Sequence, residues 1–207
     1  MAFGPAPYPM SVATFAAQAL ADFQSTAAIV PSSRFLAAAM VRPLQLEKAR
    51  TIVEFGPGTG AMTRALLRSM APDARLIAFE VNPSFVKYLG EHMPDPRLTI
   101  LERGAEEAPA ALAELGVGAA DAALSSLGLS LFPDSLTERI LGGLPKILAP
   151  GAVFTQFQYV SRMRMVDGRP EYFDASCMIR RHFPVVERRL IVRNIPPAFV
   201  YIAHNRL

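Results

Sequence analysis

Residues 53–60 read VEFGPGTG and combine one acidic residue with three glycines at alternate positions. The loop follows a short apolar run, Thr51–Phe55, that predicts a strand, and it opens a segment that predicts a helix. Glycines in a strand-to-helix turn let the backbone approach a ligand closely. The spacing is not the G-x-G-x-x-G of a pyrophosphate site, and Glu54 would repel a pyrophosphate. An acid at that position suits the ammonium group of an amino acid.

A second acid, Glu80, ends the next predicted strand, Arg75–Glu80. A carboxylate there accepts hydrogen bonds from both hydroxyls of a ribose. Ribose and amino-acid ammonium occur together in S-adenosylmethionine, whose sulfonium carries a transferable methyl group. The strand, the acid, the glycine loop, the helix and the second acid resemble the S-adenosylmethionine-dependent methyltransferase superfamily with the Rossmann-like fold. A nucleotide-free α/β domain with a tight turn is the alternative that this combination disfavours.

The resemblance also predicts the other cofactor contacts. Related enzymes often carry Gly-Asp-Ala after the third strand, with the aspartate at the adenine amine, whereas this chain has Arg103-Gly104-Ala105. We therefore expect the adenine to meet main-chain groups of Gly104 and Ala105, or the side chain of Glu106. The implied cofactor site comprises Glu54, Phe55, Gly56, Pro57, Gly58, Gly60, Glu80, Val81, Asn82, Gly104, Ala105, Glu106 and Ser125.

The loop after the fourth predicted strand indicates the acceptor. The motif E-x-G-P-G-x-G is shared by ribosomal RNA adenine dimethyltransferases and by bacterial phospholipid N-methyltransferases. The RNA enzymes carry Asn-(Ile/Leu)-Pro-(Tyr/Phe) after that strand, and this chain reads Ser125-Ser126-Leu127-Gly128. The amide, the proline and the ring that would hold a flipped base are all missing. The RNA enzymes also append a helical domain, whereas 57 residues follow Pro150 here.

Two further stretches, residues 31–37 (PSSRFLA) and 194–201 (NIPPAFVY), look like the phospholipid N-methyltransferase family. The resemblance implies methyl transfer from S-adenosylmethionine to the amine of phosphatidylethanolamine, and to its mono- and dimethyl forms, towards phosphatidylcholine. It implies a monomer in the cytoplasm, peripherally associated with the inner face of the cytoplasmic membrane. Its partners would be a phospholipid head group and an anionic membrane surface, with no nucleic acid and no metal. An RNA adenine N6-methyltransferase, a small-molecule amine methyltransferase and an idle cofactor-binding domain stay open as alternatives.

Three residues are candidate catalytic groups. Ser125 and Ser126 end the fourth predicted strand, where this fold puts residues that face the substrate, although both serines could instead cap the strand end. A methylated amine cannot donate hydrogen bonds once it is quaternary, and aromatic faces hold such a cation best. Tyr172 is the third catalytic candidate, within a possible aromatic cage formed by Phe132, Tyr159, Tyr172, Phe173 and Tyr201.

Arginine is the predicted partner of the lipid phosphate, because its planar guanidinium binds phosphate oxygens in a bidentate way. Residues 151–207 contain nine arginines, no lysine and four acids, whereas residues 1–150 are slightly acidic. Arg180 and Arg181 are the first choice, ahead of Arg162 and Arg164, since the doublet is predicted on a helix between the fifth and sixth strands. A solvated basic face is the alternative for the other arginines.

The positioning elements alternate strand and helix, which predicts an α/β fold with a seven-stranded, mostly parallel sheet and helices on both faces. One domain spans residues 1–207, with an arm and helices in 1–41 and the catalytic core in 51–207. An amphipathic N-terminal helix, Ser11 to about Ile29, either contacts the membrane or packs on the sheet. The predicted strands are Thr51–Phe55, Arg75–Glu80, Leu98–Leu101, Asp121–Ser126, Ala152–Val160, Val185–Val192 and Ala198–Ala203.

Composition narrows the class of protein further. The chain has 207 residues, 51% of them hydrophobic, which suits one domain with a sizeable core. The only cysteine, Cys177, excludes an internal disulfide. His92, His182 and His204 lack metal-ligand spacing. No apolar run is long enough to predict a membrane span, and no Lys or Arg precedes Arg34, so a secretory signal is not expected.

Overall fold

The computed structural model describes residues 33–166 and 169–206. The predicted N-terminal helix, Ser11 to about Ile29, lies outside these residues. The strands are β1 (Thr51–Phe55), β2 (Arg75–Phe79), β3 (Leu98–Leu101), β4 (Ala120–Ser125), β5 (Leu148–Tyr159), β6 (Met163–Val166), β7 (Arg169–Tyr172), β8 (Val185–Ile191) and β9 (Ala198–His204). The helices are α1 (Arg34–Val41), α2 (Ala61–Ser69), α3 (Pro83–His92), α4 (Ala108–Glu114), α5 (Asp134–Ile147) and α6 (Ala175–Ile179).

The main sheet has seven strands in the order β3-β2-β1-β4-β5-β9-β8. Strands β1 to β5 run parallel, and β9 runs antiparallel to both β5 and β8. The strand order reverses at β1 and β4, and the crevice beyond their carboxyl ends is where open α/β sheets bind ligands. The predicted fold class is therefore confirmed.

Two apolar layers cover the sheet. On one face, Leu36 and Met40 of α1 and Leu66 of α2 pack against Ile52 and Leu76. On the other face, α4, α5 and α6 pack against the side of the sheet that carries Phe55, Phe79, Phe154 and Tyr201. Helices thus lie on both faces, and the central parallel strand β1 is buried on both sides, with five buried residues in succession.

Side-chain caps mark the start of three helices, α1, α3 and α6. The Ser33 hydroxyl accepts a hydrogen bond from the Leu36 amide at the start of α1. Asn82 accepts from the Ser84 amide before α3, whose first residue is Pro83, and Asp174 accepts from the Ser176 amide before α6. Each cap satisfies an amide that the helix leaves unpaired. The Asn82 cap also holds the chain directly after Glu80.

Two local features differ from the sequence-based expectations. Strands β6 and β7 pair as an antiparallel hairpin after β5, in a segment for which no strand was predicted. Helix α6 ends at Ile179, so Arg180 is its C-cap and Arg181 lies in the following turn rather than on a helix. In the described part of the chain, no helix has the length and the apolar character needed to cross a bilayer.

Candidate functional site

The glycine loop joins β1 to α2 at the sheet's carboxyl edge. Gly56, Gly58 and Gly60 have φ angles of 67°, 54° and 78°, which L side chains rarely adopt. A Cβ atom on Gly60 would lie 1.9 Å from Cε of Met93, and one on Gly56 would lie 2.7 Å from Cδ2 of Leu127. A Cβ atom on Gly58 would meet nothing within 4 Å. Gly58 therefore borders open space, while the other two glycines permit close packing.

Glu80 is held by the same loop. Its side chain is 1% exposed, and its two carboxylate oxygens accept hydrogen bonds from the Gly58 amide at 3.0 Å and the Asn82 amide at 2.9 Å. Burial raises the pKa of Glu80 above its ordinary value of 4.5, and these amide donors offset part of that rise. Each oxygen keeps a lone pair, so the carboxylate is fixed in position and can still accept hydrogen bonds from two hydroxyls.

Glu54 is fully buried in β1, and neither of its carboxylate oxygens has a hydrogen-bond partner among the described residues. Burial raises the pKa of its carboxyl from 4.5 to about 8, and the nearby Glu80 charge adds to that rise. The Thr63 hydroxyl lies close enough to offset part of it but not in hydrogen-bonding geometry. A buried acid without a partner is costly unless a cation or donor completes the site. The amino-acid ammonium of S-adenosylmethionine is such a group.

On the predicted adenine side of the site, Glu106 lies beside the glycine that replaces the aspartate of the Gly-Asp-Ala pattern. A Cβ atom on Gly104 would lie 2.5 Å from Oε2 of Glu106, so the Glu106 carboxylate occupies the space that an aspartate side chain would need. The Gly104 amide donates to the Glu107 carboxylate at 3.0 Å. Gly104 and Ala105 are buried, and Val81 and Asn82 are half-buried. The contacts of these residues with the adenine stay a prediction.

At the end of β4, the two predicted catalytic serines differ in their surroundings. The Ser125 hydroxyl accepts a hydrogen bond from the Leu127 amide at 3.3 Å, and its side chain is 1% exposed. The Ser126 hydroxyl is buried without a partner among the described residues, while the Ser126 amide donates to the Phe55 carbonyl. Ser126 and Leu127 therefore connect the glycine loop to the acceptor side.

That acceptor side is a cleft open to solvent, and the space in it amounts to about 310 Å³ when the solvent at its mouth is included. Its floor is the loop after β4, and its walls come from the end of β5 and from the segment that leads into and out of the β6–β7 hairpin. Aromatic side chains and one arginine dominate the walls. The lining residues are Ser126, Leu127, Gly128, Leu129, Ser130, Phe157, Gln158, Tyr159, Arg162 and Phe173.

Gln156 is an acceptor-side residue that the sequence analysis did not single out. It pairs with Ser125 across β4 and β5, and its side-chain amide donates to the carbonyls of Leu127 and Phe157 at 3.0 and 2.7 Å. Its carbonyl oxygen is buried without a partner among the described residues. The available signal was a pair of polar residues, Thr155 and Gln156, between the apolar residues 152–154 and Phe157.

Arg162 is the arginine that lines the cleft. It is half-buried, and burial lowers the pKa of its guanidinium below its ordinary value. The doublet that the sequence favoured has structural partners: Arg180 donates to the Val186 carbonyl at 2.8 Å, and Arg181 pairs with Glu138 of α5. Arg164 pairs with Asp134 at 2.5 Å. Neither Arg180 nor Arg181 is among the residues that line the cleft.

The candidate cage residues also fall into two groups, those that line the cleft and those that do not. Tyr159 and Phe173 line the cleft together with Phe157, which the sequence analysis did not include. Tyr201 is 1% exposed, and its hydroxyl donates to Asp174 at 3.0 Å, which assigns it to the core. Phe132 is also buried, and Tyr172 is 49% exposed on the β6–β7 hairpin and is not among the lining residues.

The chain is similar to known methyltransferases of two kinds. A family model described as ribosomal RNA adenine dimethylase matches residues 32–108, which end before β4. Ribosomal RNA small subunit methyltransferase A of Caulobacter vibrioides is 37% identical over 79 residues, covering 37% of this chain and 30% of that protein. Ornithine lipid N-methyltransferase of Singulisphaera acidiphila is 31% identical over 180 residues, covering 86% of this chain and 88% of that protein.

Among solved structures, the chain is similar to the O-methyltransferase TomG of Streptomyces achromogenes in complex with S-adenosylmethionine. The TM-score is 0.60, the identity is 21%, and the match covers 96% of this chain and 91% of the other. The fold and the glycine loop with its two buried acids define an S-adenosylmethionine-dependent methyltransferase, and S-adenosylmethionine is its cofactor. The chain belongs to the family of the ornithine lipid N-methyltransferase that it resembles over most of its length.

Proposed function

We propose that this protein transfers methyl groups from S-adenosylmethionine to the amine of a membrane lipid head group, with phosphatidylethanolamine and its mono- and dimethyl forms as the first candidates and phosphatidylcholine as the end product. The observation that carries the proposal is the acceptor cleft. It has aromatic walls and an arginine, and the loop after β4 lacks the base-holding amide, proline and ring. The similarity to an ornithine lipid N-methyltransferase supports the same substrate class.

The cofactor, when bound, supplies an electrophilic methyl group on a sulfonium. Glu54 would accept the ammonium of the amino-acid part, because its buried carboxylate oxygens have no partner among the described residues. Glu80 would accept the ribose hydroxyls, since amides hold it in place. The Glu106 carboxylate would accept the adenine amine, as it fills the space beside Gly104. Phe55, Pro57, Val81, Ala105 and Ser125 would complete the walls.

The acceptor amine must be neutral before it attacks, and two features of the cleft favour that form. Burial in this cleft raises the pKa of Tyr159 and lowers the pKa of Arg162, and the same loss of water disfavours a charged ammonium group. The Ser126 hydroxyl is a buried acceptor without a partner among the described residues. It can orient the amine while the proton leaves to water. Positioning of this kind supplies much of the rate of a bimolecular transfer.

The role of Arg162 in the proposal is to bind the acidic group of the head group. Phosphatidylethanolamine carries a phosphate two carbons from its amine, so an anion site beside the amine site selects such a molecule over a simple amine. Phe157, Tyr159 and Phe173 offer aromatic faces for the methylated product. Arg180 and Arg181 remain the alternative phosphate partners, although both have protein partners.

Mass spectrometry of lipids tests the proposal. The protein is incubated with S-adenosylmethionine and vesicles that contain phosphatidylethanolamine or ornithine lipid in separate reactions. We expect lipid masses raised by one, two or three methyl groups, and the preferred vesicle identifies the head group. Absence of any methylated lipid, from protein that binds the cofactor in calorimetry, contradicts the proposal.

RNA adenine methylation is the second candidate, because the family model for ribosomal RNA adenine dimethylase matches residues 32–108. That match covers the cofactor half and stops before the loop that would hold the base. Ribosomal RNA is therefore included as an acceptor in the same assay, with lipid methylation expected and RNA methylation not expected.

A further inference from the structure

The turn between β8 and β9, residues 192–197, exposes two apolar side chains. We call it the β8–β9 tip. Val192 is 66% exposed and Ile195 is 75% exposed, the highest values among the large apolar side chains in the described part of the chain. Exposed apolar side chains that lie together on a loop indicate a surface that contacts something other than water.

The tip is held in a defined shape by one buried polar side chain. Asn194 is 1% exposed, and its side-chain amide donates to the Pro196 carbonyl at 2.7 Å. Its carbonyl oxygen accepts from the Ser33 amide at 3.0 Å, which ties the tip to the start of α1. Val192 and Ile195 are therefore presented by a loop that is anchored from within.

The tip lies at the mouth of the acceptor cleft. Strand β8 runs in the same direction as β5, so it ends at the sheet edge that carries the glycine loop. The Val160 amide donates to the Pro197 carbonyl at 2.9 Å, and Ala198 pairs with Tyr159, which lines the cleft. A surface that the tip touches would therefore face the opening of the cleft.

The charge around the tip is positive. The exposed guanidiniums of Arg34 and Arg193 lie 4.9 and 5.2 Å from the centre of the same Phe35 ring, and this stacking orders both of them. The tip thus carries two exposed apolar side chains beside two ordered arginines, a combination that complements an anionic bilayer.

We propose that the β8–β9 tip docks the protein on an anionic phospholipid bilayer, with Val192 and Ile195 inserted at the interface and Arg34 and Arg193 bound to head-group phosphates. This orientation turns the cleft mouth towards the lipid head groups, so a head group reaches the methyl donor without leaving the membrane plane. The inference rests on the proposed function, since it specifies how a lipid substrate reaches the same site.

Vesicle flotation of the full chain without cofactor tests the docking surface. The probes are vesicles of phosphatidylethanolamine with phosphatidylglycerol, and vesicles of phosphatidylethanolamine with phosphatidylcholine. We expect Val192→Ser with Ile195→Ser to lower affinity for the anionic vesicles about tenfold or more. The matched control is Val185→Ser with Leu115→Ser, which changes two other exposed apolar residues at the opposite edge of the sheet and should leave affinity unchanged. Arg193→Gln should weaken the dependence on phosphatidylglycerol.

Turnover on a short-chain, monomeric phosphatidylethanolamine separates the two proposals. The tip variant should keep the wild-type kcat/KM on this dissolved lipid while losing activity on vesicles. A wild-type protein that floats with vesicles but methylates neither form contradicts the proposed function and leaves the docking surface intact. Tip variants that float as well as the wild type overturn the docking proposal. A wild-type dimer in gel filtration that the tip variant dissociates also overturns it, because the tip would then contact a second copy.

Discussion

The half of the sheet that carries the glycine loop and the half that carries the cleft bind their ligands by different means. On the cofactor side, backbone amides, positive φ angles and two buried acids form the site. On the acceptor side, the groups are side chains from the loop after β4, from the end of β5 and from the residues that flank the β6–β7 hairpin. The first site depends on backbone geometry, and the second depends on which side chains the loops supply.

The similarities to known proteins differ in extent. The family model for ribosomal RNA adenine dimethylase matches residues 32–108, whereas the similarity to the lipid N-methyltransferase extends over 180 residues. A cofactor half built from backbone and two acids can serve several acceptors unchanged. The cleft must then determine which acceptor binds. Variants in one half should therefore change cofactor binding, and variants in the other half should change acceptor binding.

Glu54→Gln should have the largest effect, and it should weaken cofactor binding without changing the acceptor cleft. The amide keeps the shape of the side chain but loses the charge that pairs with the ammonium. We expect the Kd for S-adenosylmethionine in calorimetry to rise about 100-fold or more. Glu91→Gln on the exposed face of α3 is the control and should keep the wild-type Kd. A wild-type Kd for Glu54→Gln would show that the Glu54 carboxylate does not bind the cofactor.

Two alanine substitutions test the different roles of the loop glycines: Gly60→Ala should disturb packing, and Gly58→Ala should obstruct the cofactor. An alanine at 60 meets Met93 and Leu89, so urea unfolding should show a loss of about 2–3 kcal/mol beyond that of Gly58→Ala. An alanine at 58 has open space and carries only the strain of its positive φ, about 1–2 kcal/mol. Calorimetry should nonetheless show weak cofactor binding for Gly58→Ala. Equal stabilities for the two variants would contradict this division of roles.

Arg162→Gln should affect the acceptor half alone. Loss of a charge-assisted contact to the head-group anion should raise KM for lipid about tenfold to 30-fold while the Kd for S-adenosylmethionine stays unchanged. Arg180→Gln is the matched control, because Arg180 donates to the Val186 carbonyl away from the cleft. If Arg180→Gln raises KM and Arg162→Gln does not, the two arginines exchange their proposed roles.

The last prediction is a pH dependence of stability that comes from Glu54. Burial raises its pKa from 4.5 to about 8 in the folded, cofactor-free protein, so the folded state holds a proton that the unfolded chain releases. As the pH rises from 4.5 to about 8, Glu54 ionises in the unfolded chain but stays protonated in the folded one. Glu54 therefore lowers the free energy of unfolding over this range, by up to about 1.4 kcal/mol per pH unit. Urea unfolding of wild type and Glu54→Gln across this range should therefore diverge, with the variant gaining most at the upper end. Parallel curves would contradict the unpaired, protonated state of Glu54.

Most of the fold could be predicted from the sequence, because its signals are local. Thr51–Phe55 and Leu98–Leu101 are short apolar runs beside turn residues, and the structure gives both strands the predicted bounds. Helix α1 begins directly after Ser33, a residue type that favours helix starts, and the Ser33 side chain caps it. The glycine loop was recognisable because positive φ angles require glycine, whatever lies elsewhere in the chain.

The acceptor side could not be predicted in the same way, because strand register and loop packing decide it. Pairing of Ser125 with Gln156 determines which β5 residues flank the loop after β4, and a single sequence does not contain that register. Arg162 and Arg180 look alike in sequence, and only the path of the chain into the β6–β7 hairpin brings Arg162 to the cleft. The Asp167-Gly168 dipeptide was the one local signal for that hairpin.

A single competition experiment tests the central claim most directly. The protein is incubated with methyl-labelled S-adenosylmethionine, vesicles of a bacterial lipid extract and ribosomal RNA in one reaction, and the lipid and RNA phases are then separated. We predict that the label enters the organic phase on lipid amines and that Glu54→Gln and Arg162→Gln reduce it. Label in the RNA, with none in lipid, would contradict the claim that the cleft is built for a lipid head group.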